Sequence, residues 1–217
     1  MRTIPREVNS FLDKTSFRLN KIQKSVLIGT LLGDGGVRYR GRECRLHIKH
    51  SINQLSFVNY KRKVFCNITL MKVRRFSQTI GEKDYSFAEF VTLTHSEFTK
   101  YYHLFYPSLK KQVPNNINSL LIDPLSLAVW FMDDGSADYA GASLQTHSFT
   151  KKDVERLMEC IVMNFNIDVT KRLNKGKWII YFPKASMGRL REVIEKYMLK
   201  EFMYKLKPYS VRKSLTP

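Results

Sequence analysis

The chain has 217 residues, and 37 Lys and Arg against 19 Asp and Glu leave a formal net charge of +18 at pH 7. With 43% hydrophobic and 12% aromatic residues it can build a packed core, which excludes a disordered tail; without a run of 18 apolar residues it offers no membrane span. Small domains usually hold a net charge of magnitude about 2–8, so the excess here calls for a polyanionic partner, nucleic acid above all.

Residues 1–19 read as an N-terminal extension. Arg2, Arg6 and Arg18 stand beside Glu7 and Asp13 with no apolar stretch, so the segment is not a secretory signal and makes a poor transit peptide. Cys44, Cys66 and Cys160 are odd in number and scattered, which supports neither a disulfide framework nor a zinc site. A reducing, intracellular setting is expected: an organelle (mitochondrion or plastid) or a prokaryotic cytoplasm.

Asn20 and Gln23 have the spacing of a reciprocal cap, and predict a helix running through Ser25-Val-Leu-Ile-Gly-Thr-Leu-Leu-Gly-Asp34 to Gly35. A hundred residues on, Asp123-Pro124 starts a second apolar helix, Leu125-Ser-Leu-Ala-Val-Trp-Phe-Met-Asp-Asp134, which Gly135 ends. Both helices end in Asp-Gly. Thr150-x-x-Asp153 opens a further helix on which Val154, Leu157, Met158, Ile161, Val162 and Phe165 keep 3/4 spacing. Strand pairs are predicted at 68–76 with 85–94, and at 167–173 with 178–182 across Asn174-Lys-Gly-Lys177. Closing helices fall near 96–106 and 186–199, followed by Lys111-Gln-Val-Pro114 and Lys205-Leu-Lys-Pro208. The order helix, two strands, helix, two strands, helix thus occurs twice, in repeats at 20–114 and 115–208 with a tail at 209–217.

Two clusters carry chemistry. In the strand pair 37–40 and 44–49, alternation puts Val37, Tyr39, Cys44, Leu46 and Ile48 on one face. Arg38, Arg40, Arg45, His47 and Lys49 fall on the other, with Glu43 the lone acid; Lys72 and Arg74 repeat the pattern on the next strand. The plain alternative is a solvated face, but such faces mix signs, and a two-stranded cationic ribbon suits phosphates and guanine edges. Gln145, His147, Arg172, Lys175 and Lys177 are the second half's DNA-contact candidates. The second cluster is the pair of aspartates. Gly29 and Gly33, with Ser126 and Ala128, permit two helix backbones to pack closely, and parallel packing brings the C-terminal carboxylates together. Like charges at the negative end of two helix dipoles call for a hard divalent cation. For one helix alone, an ordinary Asp-Gly turn would suffice.

Leu27-Ile-Gly-Thr-Leu-Leu-Gly-Asp-Gly35 and Leu127-Ala-Val-Trp-Phe-Met-Asp-Asp-Gly135 resemble the nine-residue signature of LAGLIDADG homing endonucleases, and two copies in one chain are similar to the single-chain members. Val-Pro-Asn-Asn and Met-Tyr-Lys-Leu are similar to words of the mitochondrial omega-intron type. The resemblance covers residues 20–208 and implies an α+β fold of two pseudo-symmetric αββαββα repeats, with saddle-shaped antiparallel sheets on DNA. It implies Mg2+-dependent cutting of both strands of a long, asymmetric duplex site, with short 3′ overhangs and no nucleotide cofactor. Asp34 and Asp134 take the metal-binding position of the signature. Gly33 and Asp133 precede them as carbonyl donors, and the Asp133 side chain is a cap or an outer group. Lys111 and Lys205 match the basic residues that support the water network; two solvated lysines near helix ends are the alternative. His147, with His50 as its internal counterpart, stands near a family Gln; an ordinary DNA-contact or hydrogen-bonded histidine competes with a general base. Mn2+ is expected to substitute for Mg2+, and Ca2+ to bind without supporting cleavage. A monomer needing no protein partner is implied. The rivals on the same scaffold are a maturase binding intron RNA and a DNA-binding protein that no longer cuts.

Overall fold

The structure, a computed structural model, describes residues 16–207. Most of the 1–19 extension, the 209–217 tail and Pro208 of the second K-x-x-P lie outside the described residues. The chain order is α1 (Lys21–Leu32), β1 (Gly36–Arg40), β2 (Glu43–Ser51), α2 (Leu55–Val64), β3 (Arg74–Ile80), β4 (Lys83–Val91) and α3 (Ser96–Phe105). Then come α4 (Ile117–Leu120), α5 (Pro124–Asp134), β5 (Gly135–Asp138), β6 (Gly141–Leu144), α6 (Lys151–Phe165), β7 (Thr170–Asn174), β8 (Lys177–Phe182), α7 (Met187–Ile194) and a 3-10 stretch, Lys200–Leu206. The expected α+β class holds, with two four-stranded antiparallel sheets in the orders β1-β2-β4-β3 and β5-β6-β8-β7. Among the described residues no helix is long and apolar enough to cross a membrane.

Two compact units result, one made of residues 16–24 and 35–103, the other of 25–34 and 104–207. In the first unit, Val37, Cys44, Leu46, Ile48, Ala88 and Phe90 are buried on one sheet face, and α2 packs on β2 and β4 with its Phe57 and Val58 buried. In the second, α5 is buried along almost its whole length, as is the α1 segment Val26–Leu32, which marks them as central helices rather than surface ones. The local signals act as their chemistry demands. The Asn20 side chain accepts from Gln23 N at 2.9 Å while Gln23 Oε1 accepts from Asn20 N at 3.1 Å. Asp123 accepts from Leu125 N at 3.0 Å, and Thr150 with Asp153 forms a reciprocal capping box.

Edges move. The strand expected from residue 68 starts only at Arg74, because Cys66–Ile68 forms a 3-10 turn; Lys72 therefore precedes the strand instead of lying on it. The closing helix expected to residue 199 ends at Ile194 and breaks into 3-10 turns. Tyr39, expected on the core face, is 45% exposed and packs edge-on against Tyr102 of α3, because β1 is an edge strand.

Candidate active site

The site begins with two glycines. A Cβ on Gly29 would stand 2.4 Å from Ser126 O and 3.0 Å from Trp130 N, and one on Gly33 2.5 Å from Asp133 Oδ2. No side chain fits there, so α1 and α5 meet backbone to backbone. The contacts advance together, 29 with 126–130 and 33 with 133, so the helices run the same way and their C-terminal ends coincide. Acceptable oxygens of Asp34 and Asp133 lie within 4.8 Å of one another.

Three carboxylates gathered at the negative ends of two helices cannot all be comfortable. Asp34 is exposed, Asp133 is buried and Asp134 is partly buried. Burial, then the charges of Asp34 and Asp133, push the Asp134 carboxyl up to about 8; Lys111 and the Trp130 indole offset this only in part. Carboxylate oxygens with surplus negative charge, one carboxylate open to solvent, fit a hard divalent cation such as Mg2+ or Mn2+.

The two lysines have a clear structural job. Lys111 Nζ donates to Gly33 O at 2.5 Å. Lys205 Nζ donates to Met132 O at 2.5 Å and to Asp133 O at 3.1 Å. Each ammonium thus caps the terminal carbonyls of one signature helix, where its charge is favoured, and stands beside the acids. Lys205 is only 6% exposed, so it is no solvated surface lysine. The same carbonyls that the sequence offers as metal donors, those of Gly33 and Asp133, already accept from these lysines; a carbonyl has two lone pairs and can serve both.

In the first unit, β1 and β2 pair Arg38 with Arg45 and Gly36 with His47, so Arg38, Arg40, Arg45, His47 and Lys49 share the sheet face opposite the core. Lys49 Nζ lies 3.9 Å from the Phe87 ring centre and Arg74 packs 4.4 Å from that of Phe76. In the second unit, Arg172 stacks on Tyr181 and pairs with Asp138 at 3.6 Å, while Lys175 lies in the β7–β8 turn and Lys177 begins β8. Gln145 follows β6; its backbone N–H donates to Asp134 O at 3.0 Å and its side chain to Ser143 Oγ at 3.2 Å, which leaves a buried Oε1 without a hydrogen-bond partner. His147 is exposed between β6 and α6, away from regular structure. His50 is buried in the first unit, with Lys61 Nζ at 3.4 Å from its Nε2.

Two residues escaped the sequence reading. Lys61 is fully buried against Phe57, with its ammonium 3.9 Å from the ring centre; its spacing from Phe57 and Val58 already put it on the inner face of α2. Glu89 sits among the cations, accepting from His47 and Arg74. The turn at Gly81-Glu82 sets the pairing of Ile80 with Lys83, and counting back from it reaches Arg74 opposite Glu89.

A model of the LAGLIDADG DNA endonuclease family matches residues 24–190. A probable intron-encoded endonuclease 1 of Wickerhamomyces canadensis is 28% identical over 197 residues, 87% of this chain and 85% of that protein. A cytochrome b mRNA maturase bI2 of Debaryomyces hansenii is 28% identical over 200 residues, 88% of this chain and 76% of that one. Among solved structures, the homing endonuclease I-WcaI bound to its DNA recognition sequence matches with a TM-score of 0.87 and 25% identity, covering 97% of this chain and 96% of the other. With α1 packed on α5 through Gly29 and Gly33 and the family match spanning most of its length, the chain belongs to the LAGLIDADG DNA endonucleases.

Proposed function

We propose that the chain is a homing-type DNA endonuclease that cuts both strands of a long asymmetric duplex, with Mg2+ as its natural cation and Mn2+ as a substitute. One observation carries this reading: α1, packed on α5 through Gly29 and Gly33, delivers Asp34 close enough to Asp134 that, with burial, its charge pushes the Asp134 carboxyl up. Asp34 and Asp134 hold the cation, with the Gly33 and Asp133 carbonyls beside them. A divalent ion held there supplies a Lewis acid that stabilises charge on phosphate oxygens and eases the deprotonation of water. Asp34, open to solvent, faces the substrate side of the cluster. Lys111 and Lys205, anchored on the helix-end carbonyls, keep two ammonium groups at fixed height near a scissile phosphate and donate to its oxygens or to ordered water. The cationic sheet faces grip phosphates, and the repeats at 20–114 and 115–208 each contact one half-site. The protein acts as a monomer inside an organelle or a prokaryotic cell.

The test is cleavage of a plasmid bearing the uninterrupted insertion site of the gene's host intron. Defined double-strand cutting in Mg2+ is expected, lost by a factor of about a thousand or more in Asp34→Asn and Asp134→Asn while duplex binding persists; undiminished cutting by either variant refutes the assignment. The similarity to a maturase of equal identity favours a second reading, assistance to intron RNA splicing. Stimulated splicing of a precursor RNA by the cleavage-dead variants would establish it.

A further inference from the structure

In the first unit, the outer sheet face contains one acid that is not placed for solvation. Glu89 on β4 has a side chain only 17% exposed, and both its oxygens are used. Oε1 accepts from Arg74 Nε at 2.9 Å and from an Arg74 terminal nitrogen at 2.6 Å; Oε2 lies 3.1 Å from His47 Nε2. Burial alone would push this carboxyl up, but the hydrogen bonds from His47 and Arg74 and the charge of Arg74 hold it below the usual range. Arg74 and Glu89 face each other directly in the β3–β4 register, and the guanidinium is further fixed over the Phe76 ring.

The chemistry of this cluster is specific. An arginine held through Nε and one terminal nitrogen keeps its other edge, two parallel N–H groups, for a second pair of acceptors. Guanine presents such a pair, O6 and N7, in the major groove. A carboxylate oxygen only accepts, so the hydrogen of neutral His47 is on Nε2, and Nδ1 is left as an acceptor. That acceptor suits the exocyclic amine of cytosine or adenine. We propose that Glu89 is a positioning residue for sequence specificity: it fixes Arg74 to read one guanine and His47 to read an adjacent exocyclic amine. Without Glu89, Arg74, whose side chain is 66% exposed, serves any phosphate equally well. The inference rests on the endonuclease reading and deepens it, because it assigns base readout to part of a face otherwise fitted for phosphate.

The experiment is selection of bound duplexes from a randomised library by the full chain and its E89Q, R74A and H47A variants, with thermal unfolding to verify the fold. The wild type should prefer guanine at one position by about tenfold or more. E89Q should lose most of that preference and of the neighbouring one, while affinity for unrelated duplex stays level or rises, since a negative charge is gone. R74A should erase the guanine preference alone, and H47A the neighbour alone. A merely structural role for Glu89 would lower affinity evenly and leave the base profile intact, which would overturn the inference. Enrichment by the wild type with an unchanged E89Q profile also overturns it and spares the endonuclease reading. If the wild type enriches no duplex, both fall.

Discussion

Asp134 shows what it costs to gather carboxylates. Its carboxyl is raised to about 8 by burial and by Asp34 and Asp133, against an ordinary value near 4 in the unfolded chain. Between those values the folded state binds the extra proton, so the stability of the metal-free protein falls as pH rises from about 4 to 8 and then levels off. Asp134→Asn removes the titration and keeps the shape. The variant should therefore exceed the wild type in metal-free stability by about 1–3 kcal/mol above pH 8, and the gap should narrow toward pH 5. Adding Mg2+ should raise the melting temperature of the wild type more than that of the variant, with proton release on binding. Thermal melts across pH with chelator or cation measure all three effects. A melting profile for the wild type that rises from pH 5 to pH 8 in chelator would contradict the assignment of the charge cluster.

At the scale of elements, the distance between α1 and α5 controls the chemistry. Gly29→Ala places a methyl group 2.4 Å from the Ser126 carbonyl oxygen, a backbone atom that cannot swing away. The helices must separate or slide, at a cost of about 1–3 kcal/mol, and cleavage should drop much further than duplex affinity because Asp34 and Asp134 lose their spacing. Gly188→Ala on α7 is the control: nothing lies within 4 Å of its added carbon, so it should be neutral or slightly stabilising. Denaturant melts with parallel cleavage and binding assays separate the two. The helix ends that place this pair were legible from the chain because they depend on local chemistry, Asn20 with Gln23 and Asp123 before Pro124. So was the small-residue seam, since Gly29 and Gly33 are four apart and thus on one face. The start of β3 was not legible: the 3-10 turn at Cys66–Ile68 is fixed by burial of Ile68, a tertiary contact that no alternation pattern encodes. The capping role of Lys111 was equally hidden, because it joins residues 78 positions apart.

For the molecule as a whole, a charge of +18 is a compromise between holding a polyanion and repelling itself. The cross-strand pair Arg38 and Arg45 shows both sides of it. The two stand directly opposite in the β1–β2 register, an arrangement that destabilises a sheet, yet they form the sort of doubled cation that grips a phosphate backbone. Duplex affinity should fall by a hundredfold or more between about 50 and 200 mM salt as counterions cease to be released favourably. Replacing both arginines, as Arg38→Gln with Arg45→Gln, should lower the slope of log affinity against log salt by about 1–2 and weaken binding to all sequences alike. The same double variant should be more stable than the wild type by roughly 0.2–1 kcal/mol in low salt, and the gain should fade at high salt as repulsion is screened. Binding isotherms and melts over one salt series test the trade directly. A variant that binds less and is also less stable in low salt would mean that these arginines support the sheet through their stems, and that the first unit's cationic face is structural.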